Sequence, residues 1–206
     1  MFKNTAKCFA ILSVLLLSGC AQILTAEQSA PEINFSTTEK PLTIAVIDKR
    51  EYVVNNDKKP AFEGLIRSAL GIPYSYNTPT NEAMSVYLTN RLLAGFGKRG
   101  IKAESVETSP NMSIDSTVTQ VSKNGSKSII FVLHEWKYDY HTLSDNSWYN
   151  LDLMILDENG NQKLVKNFTG ENDIPGGAIV NEMQLIYKQR FETIFKDPEV
   201  IQALNL

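Results

Sequence analysis

Apolar and polar positions fall into blocks along this chain, and each block predicts an element. "LTIAVID", residues 42 to 48, is a nearly continuous apolar, β-branched run. It predicts a buried strand. Residues 49 to 79 show no sustained period and are rich in Asn, Lys, Pro and Gly. They predict an irregular segment with a short helical turn near 62 to 70, of a length that is usually functional or mobile. In "TPTNEAMSVYLTNRLLAGFGKRG", Met84, Leu88, Leu92 and Phe96 recur every four residues, so a helix gathers them into one apolar stripe. Thr78 or Thr80 can cap its start, and Gly95, Gly97 and Gly100 end it.

Shorter patterns follow. "IKAESVET" reads as a short strand, and "SIDSTVTQVSKNG" as a short helix with Ile114, Val118 and Val121 inward. "KSIIFVLHEWKYDYH" (127–141), "SWYNLDLMILDENGN" (147–161) and "QKLVKNFTGEN" (162–172) predict three strands, with Asn159-Gly160 as a hairpin turn. "GGAIVNEMQLIYKQRFETIFKD" is an amphipathic helix with Ile179, Met183, Tyr187, Phe191 and Phe195 on one side, and Pro198 precedes a short tail. The order is β, loop, α, β, α, β, β, β, α. It predicts one α/β (α+β) domain over 41–206. Its sheet would be mixed, with a late antiparallel three-stranded meander and helices packed on one face.

The N-terminus carries a different pattern. Lys3 and Lys7 precede an apolar run, Cys8 to Leu17, that is too short to span a bilayer. The run ends Leu17-Ser18-Gly19-Cys20. This is similar to the lipobox of bacterial lipoproteins. The resemblance implies that residues 1–19 are a signal peptide and that Cys20 receives diacylglyceryl on its sulfur and an acyl chain on its new amine. Ala21 in place of aspartate implies the outer membrane, facing the periplasm. Residues 20–40, polar with isolated apolar positions, then read as a flexible tether of at most roughly 65 Å.

That reading changes the thiol chemistry. The chain has two cysteines; Cys8 leaves with the leader and Cys20 becomes a thioether. A thiol nucleophile, a Cys-ligated zinc and a redox CxxC are excluded, and packing rather than disulfides must hold the domain. Losing Lys3 and Lys7 takes the net charge from −3 to −5. No basic block offers a face for nucleic acid.

"HEWKYDYH" (134–141) holds both histidines of the chain. On a regular strand His134 and His141 fall on opposite faces unless a bulge intervenes, so they cannot readily share a metal. No GxSxG, HExxH or Gly-rich phosphate loop is present. The expectation is therefore no catalytic residue, no metal and no cofactor. Trp136, Tyr138 and Tyr140 share a face, continue Ile130 and Val132, and are joined by Trp148 on the returning strand. They either pack within the domain or form a partner-binding surface. Tyr74 and Tyr76, in "GIPYSYNTP", are further partner-binding candidates, open to the alternative of folding back on the domain. Asp48, Arg50 and Arg67 form a candidate ion-pair group: Arg67 could return to Asp48 and fasten the 49–79 segment, or the arginines could grip an anionic ligand.

"IAVIDKR" (44–50), "LLAGFGKRGIKAESV" (92–106) and the strands of 127–169 together resemble small periplasmic α/β lipoproteins, with the YajG-like uncharacterised lipoproteins nearest. More distantly the order resembles the anticodon-binding-like domains of TolB, the curli secretion lipoprotein and the lipoprotein activators of penicillin-binding proteins. The resemblance implies a non-catalytic accessory or protein-interaction role in the envelope, with an envelope protein as partner. The alternative is a small anionic-ligand binder using Arg50 and Arg67.

Overall fold

The computed structural model describes residues 22–34, 41–141, 145–175 and 178–205. Cys20 and residues 1–19, expected to be a signal peptide, lie outside the described residues. In chain order the elements are β1 (Leu42–Asp48), α1 (Glu51–Val54), β2 (Phe62–Arg67), β3 (Pro73–Asn77), α2 (Met84–Lys98), β4 (Ala103–Ser105), α3 (Ile114–Ser122), β5 (Ser128–Tyr140), β6 (Asn146–Leu156), β7 (Gln162–Asp173), α4 (Ile179–Phe195) and α5 (Pro198–Asn205). All seven strands join one mixed sheet, and the fold is the expected α/β domain with a late antiparallel meander. The 49–79 segment is a correction. It is not irregular: β2 and β3 form an antiparallel hairpin there. The short tail is also more ordered than expected, since Pro198 opens α5.

The sheet is organised around β5, whose two edges are used differently. Along one edge β6 pairs antiparallel over nearly the whole strand, and β7 continues the meander. The other edge is shared. β1 runs parallel to the first half, from Thr43 opposite Ser128 to Asp48 opposite Leu133. β2 runs parallel to the second half, from Gly64 opposite Tyr138 to Ile66 opposite Tyr140. β4 flanks β1, and β3 flanks β2.

Between these two pairings one side chain replaces a strand. The Lys49 amide donates to the Leu133 carbonyl as the last rung of β1. Arg50 then turns inward. Its Nε and Nη2 donate to the two Asp48 carboxylate oxygens at 2.8 and 2.7 Å. Its Nη1 donates to the Phe62 and Trp136 carbonyls at 2.8 and 2.9 Å, and Nη2 also reaches the Pro60 carbonyl at 3.3 Å. A buried carbonyl needs a donor, and Arg50 supplies one where no neighbouring strand does. Burial works against the Arg50 charge, but Asp48 outweighs it and holds the guanidinium pKa above its ordinary value.

Helices cover both faces of the sheet, a departure from the single helical layer expected. The main core lies on one face, where Met84, Leu88, Leu92 and Phe96 of α2 meet Met183, Tyr187, Phe191 and Phe195 of α4 over Ile44, Val46, Phe131 and Leu133. These are the two stripes the sequence predicts. α3 covers a smaller core on the opposite face, with Val121 packed among Ala45, Ile47, Ile130 and Val132.

A bulge in β5 decides which face its second half presents. The pairing with β6 shifts between Leu133 and Glu135, so His134 is the extra residue. Trp136 and Tyr138 therefore join Phe131 and Leu133 in the main core, not Ile130 and Val132. Trp136 stacks on Phe191 with ring centroids 5.6 Å apart and meets Tyr187 at 5.1 Å. Tyr138 lies flat against β2, where a Cβ on Gly64 would sit 2.5 Å from its ring; only glycine permits that approach.

Residues 22–34, expected within a flexible tether, are laid along the groove between α2 and α4. Ala30 and Ile33 are buried, and the Pro31 carbonyl oxygen would lie only 2.7 Å from a Cβ on Gly95. The Leu24 and Glu32 amides donate to Asn181 Oδ1 and Glu192 Oε1, both at 3.1 Å.

Arg50→Lys keeps the charge but loses the fork that reaches Asp48, Phe62 and Trp136 together. Leaving a buried carbonyl without its donor typically costs about 1–3 kcal/mol. The expected result in urea denaturation is a loss of that order, whereas Lys49→Arg next to it leaves the midpoint nearly unchanged.

Candidate functional site

The second half of β5 carries two unlike faces. On the helical side lie Trp136 and Tyr138, which are 0% and 2% exposed. Neither can meet a partner, which corrects their place among the candidate binding residues. The cause is the bulge together with α4, whose 17 residues reach about 25 Å and cover this half of the strand. Tyr140, half-buried, packs with Ile66 at the margin of the same core.

The other face is the more open one. The register places Leu65 beside Asp139, and Lys137 opposite Trp148. α3 covers Ile130 and Val132, before the bulge. Beyond it two shallow depressions adjoin, sharing Asp139 and Trp148. One is lined by Leu65, Glu135 and Lys137, and the other by Arg67, Gly71, His141 and Asn146. The half-buried Trp148 and Leu65 supply an apolar floor.

The charges around this floor are paired. Arg67 Nε and Nη2 donate to Asp139 at 2.7 and 2.6 Å, and Nη1 donates to the Gly71 carbonyl at 3.2 Å. Lys137 Nζ lies 2.8 Å from Glu135. The Tyr52 hydroxyl donates to the other Glu135 oxygen at 2.8 Å. Arg67 thus pairs with Asp139, not with Asp48 as the sequence suggests. Asp48 and Arg50 do form an ion pair, but with each other and fully buried. Arg50 has no route to a solvent ligand, so the two arginines do not line one anion site.

Tyr74 and Tyr76 are 54% and 45% exposed on β3. They pair with Ile66 and Gly64, which puts them on the helical side of the hairpin, away from Trp148. The histidines also differ from expectation. The bulge brings His134 and His141 to the same face, but seven positions on a strand span roughly 23 Å. His134 Nε2 lies 2.8 Å from Asp152, and among the described residues no three His, Cys, Asp or Glu side chains gather around a common point.

Two residues escaped the sequence reading. Leu65 is hidden because "FEGLIR" falls where a short helical turn is expected, although its alternation of Phe62, Gly64 and Ile66 with Glu63, Leu65 and Arg67 is a strand signal. Glu63 is the other. It points into the core near Tyr187 and Arg91 and is 2% exposed. Burial pushes its carboxyl from an ordinary 4.5 up to about 7, against the opposing pull of the Tyr187 hydroxyl, Arg91 and Arg50.

No family model matches the chain, and no curated protein matches it. Among solved structures it is similar to protein XCC0632 from Xanthomonas campestris, of the DUF330 family, at 10% identity and a TM-score of 0.44, covering 81% of this chain and 88% of that one. An uncharacterised protein aligns at 11% identity and a TM-score of 0.46, covering 81% and 94%. Lipoprotein GNA1162 from Neisseria meningitidis aligns at 8% identity and a TM-score of 0.34, covering 76% and 100%. Likenesses at this level transfer no role.

The Glu63 shift has a definite sign. The folded state holds this proton more tightly than the unfolded chain does, so the contribution is full below pH 4.5 and is lost as pH rises through about 7. Denaturation midpoints should fall across that interval, and Glu63→Gln should flatten the profile. An unchanged slope in the variant would contradict the assignment.

Proposed function

We propose that this chain is a lipid-anchored accessory module of the bacterial envelope, held at the outer membrane through Cys20 and facing the periplasm. Its role is to bind another envelope protein, not to catalyse a reaction. Leu17-Ser18-Gly19-Cys20 and the following Ala21 support the anchoring. Among the described residues no helix is long and apolar enough to cross a membrane, so attachment would rest on acyl chains.

The observation that carries the binding role is the half-covered sheet face around Trp148. An aromatic floor, ringed by charges already paired with one another, resembles the anatomy of a protein interface. Such interfaces have an apolar centre enriched in Trp and a polar rim. Arg67–Asp139 and Lys137–Glu135 would hold the rim without presenting a net charge. That suits a polypeptide partner better than a small anion. Tyr140 and the β3 tyrosines lie on the other side of the hairpin and are outside this surface.

The test is crosslinking in intact envelopes, followed by mass spectrometry of captured proteins. Trp148→Ala should lose a specific partner while the protein stays folded, because Trp148 is only half-buried. Tyr76→Ala should retain it. Equal capture by wild type and Trp148→Ala contradicts the proposed surface.

A further inference from the structure

The docked course of residues 22–34 places the lipid attachment relative to the fold. Asn181 Nδ2 donates to the Gln22 carbonyl at 3.0 Å, and Asn181 Oδ1 accepts from the Leu24 amide. Gln22 is therefore fixed at the start of α4. Cys20 is two residues away, within roughly 7 Å of chain. An acyl group on Cys20 has almost no slack.

The start of α4 lies at a particular end of the sheet. α4 runs antiparallel to β5, since Phe195 and Phe191 meet Phe131, and Tyr187 meets Trp136 further along. Its first turn is thus near the C-terminal end of β5. β2 runs parallel to β5 and ends with Ile66 opposite Tyr140, so the β2–β3 turn projects past the same end. That turn carries the most exposed large apolar side chain among the described residues. Leu70 is 89% exposed and Ile72 51%, with Tyr74 at 54% behind them; Ile23, next to Gln22, is 48% exposed.

We propose that this end of the domain rests on the lipid surface, with Leu70 and Ile72 seated among the acyl chains and Tyr74 at the headgroups. The inference rests on the lipid-anchored reading above. Aliphatic tips backed by tyrosine match the layering of a membrane interface, where tyrosine places its ring in the apolar zone and its hydroxyl in the wet one. Asp145 and Asp173 lie at the same end of the sheet, so the seating is apolar and does not depend on anionic lipid. A lipid surface is the occupant because the anchored end of the chain is held there. The Trp148 face then stands beside the membrane, open to the periplasm.

The experiment uses the acylated full chain in phosphatidylethanolamine–phosphatidylglycerol vesicles. Cys8 leaves with the leader and the Cys20 sulfur is acylated, so a single new thiol can be labelled cleanly. An environment-sensitive fluorophore is placed at Leu70→Cys or, at the far β6–β7 turn, at the exposed Asn159→Cys. The Leu70 probe should shift to the blue and be quenched by nitroxide lipids, while the Asn159 probe keeps its aqueous emission. Vesicles lacking phosphatidylglycerol should give the same pattern. Equal aqueous emission from both probes overturns the inference. So does a Leu70 probe already shielded without vesicles, which would mean that a second copy covers the turn. The mass of the N-terminal peptide separates the two readings: an acylated Cys20 with a water-exposed Leu70 sinks only the orientation, and an unacylated Cys20 sinks both.

Discussion

The structure depends on the forked contact between Arg50 and Asp48. β5 is too long for β1 to accompany, and the chain leaves β1 at Asp48, short of the end of its partner. The Trp136 carbonyl, reached otherwise only at 3.3 Å by the Tyr52 hydroxyl, and the carbonyls at the start of β2 take their donors from Arg50. Arg50 meets both needs because a guanidinium presents its donors in fixed directions. One fork faces the carboxylate two residues back, and the remaining N–H groups face three carbonyls from two segments, Pro60 and Phe62 at the entry to β2 and Trp136 on β5. The charge is tolerated in the core only because Asp48 neutralises it there.

That contact makes the second half of the sheet possible, and the bulge at His134 decides how it is used. Without the extra residue, Trp136 and Tyr138 would lie on the α3 side, and Glu135 and Lys137 would enter the core. With it, the two tryptophans separate. Trp136 is sealed under α4, while Trp148, one strand away, remains on the open face. A binding surface and a stable core are built from neighbouring aromatics by a single insertion in register.

The strongly periodic elements were legible in the sequence because their burial is set by local spacing. The stripes of α2 and α4 and the apolar run of β1 each meet the core as their pattern requires. Legibility failed where a distant element decides the outcome. β2 has its own alternation, but becomes a strand by pairing with Tyr138 to Tyr140, over 70 residues away. A bulge leaves no mark in "VLHEWKYDYH", so strand parity misassigned the face of Trp136. The ion pairs were half legible: the three residues singled out are all in charge pairs, yet Asp139, not Asp48, holds Arg67. Residues 22–34 lack a period because they follow a groove between helices, and a groove imposes none.

Asp48 and Arg50 join two halves of one sheet. Hydrogen–deuterium exchange on Asp48→Asn, with the wild-type protein as reference, tests it most directly. Exchange should be faster at the β2 amides and at the second half of β5, while the β1 rungs to Ile129–Leu133 stay protected. Exchange that rises uniformly over the sheet, or that leaves β2 as protected as before, would contradict it.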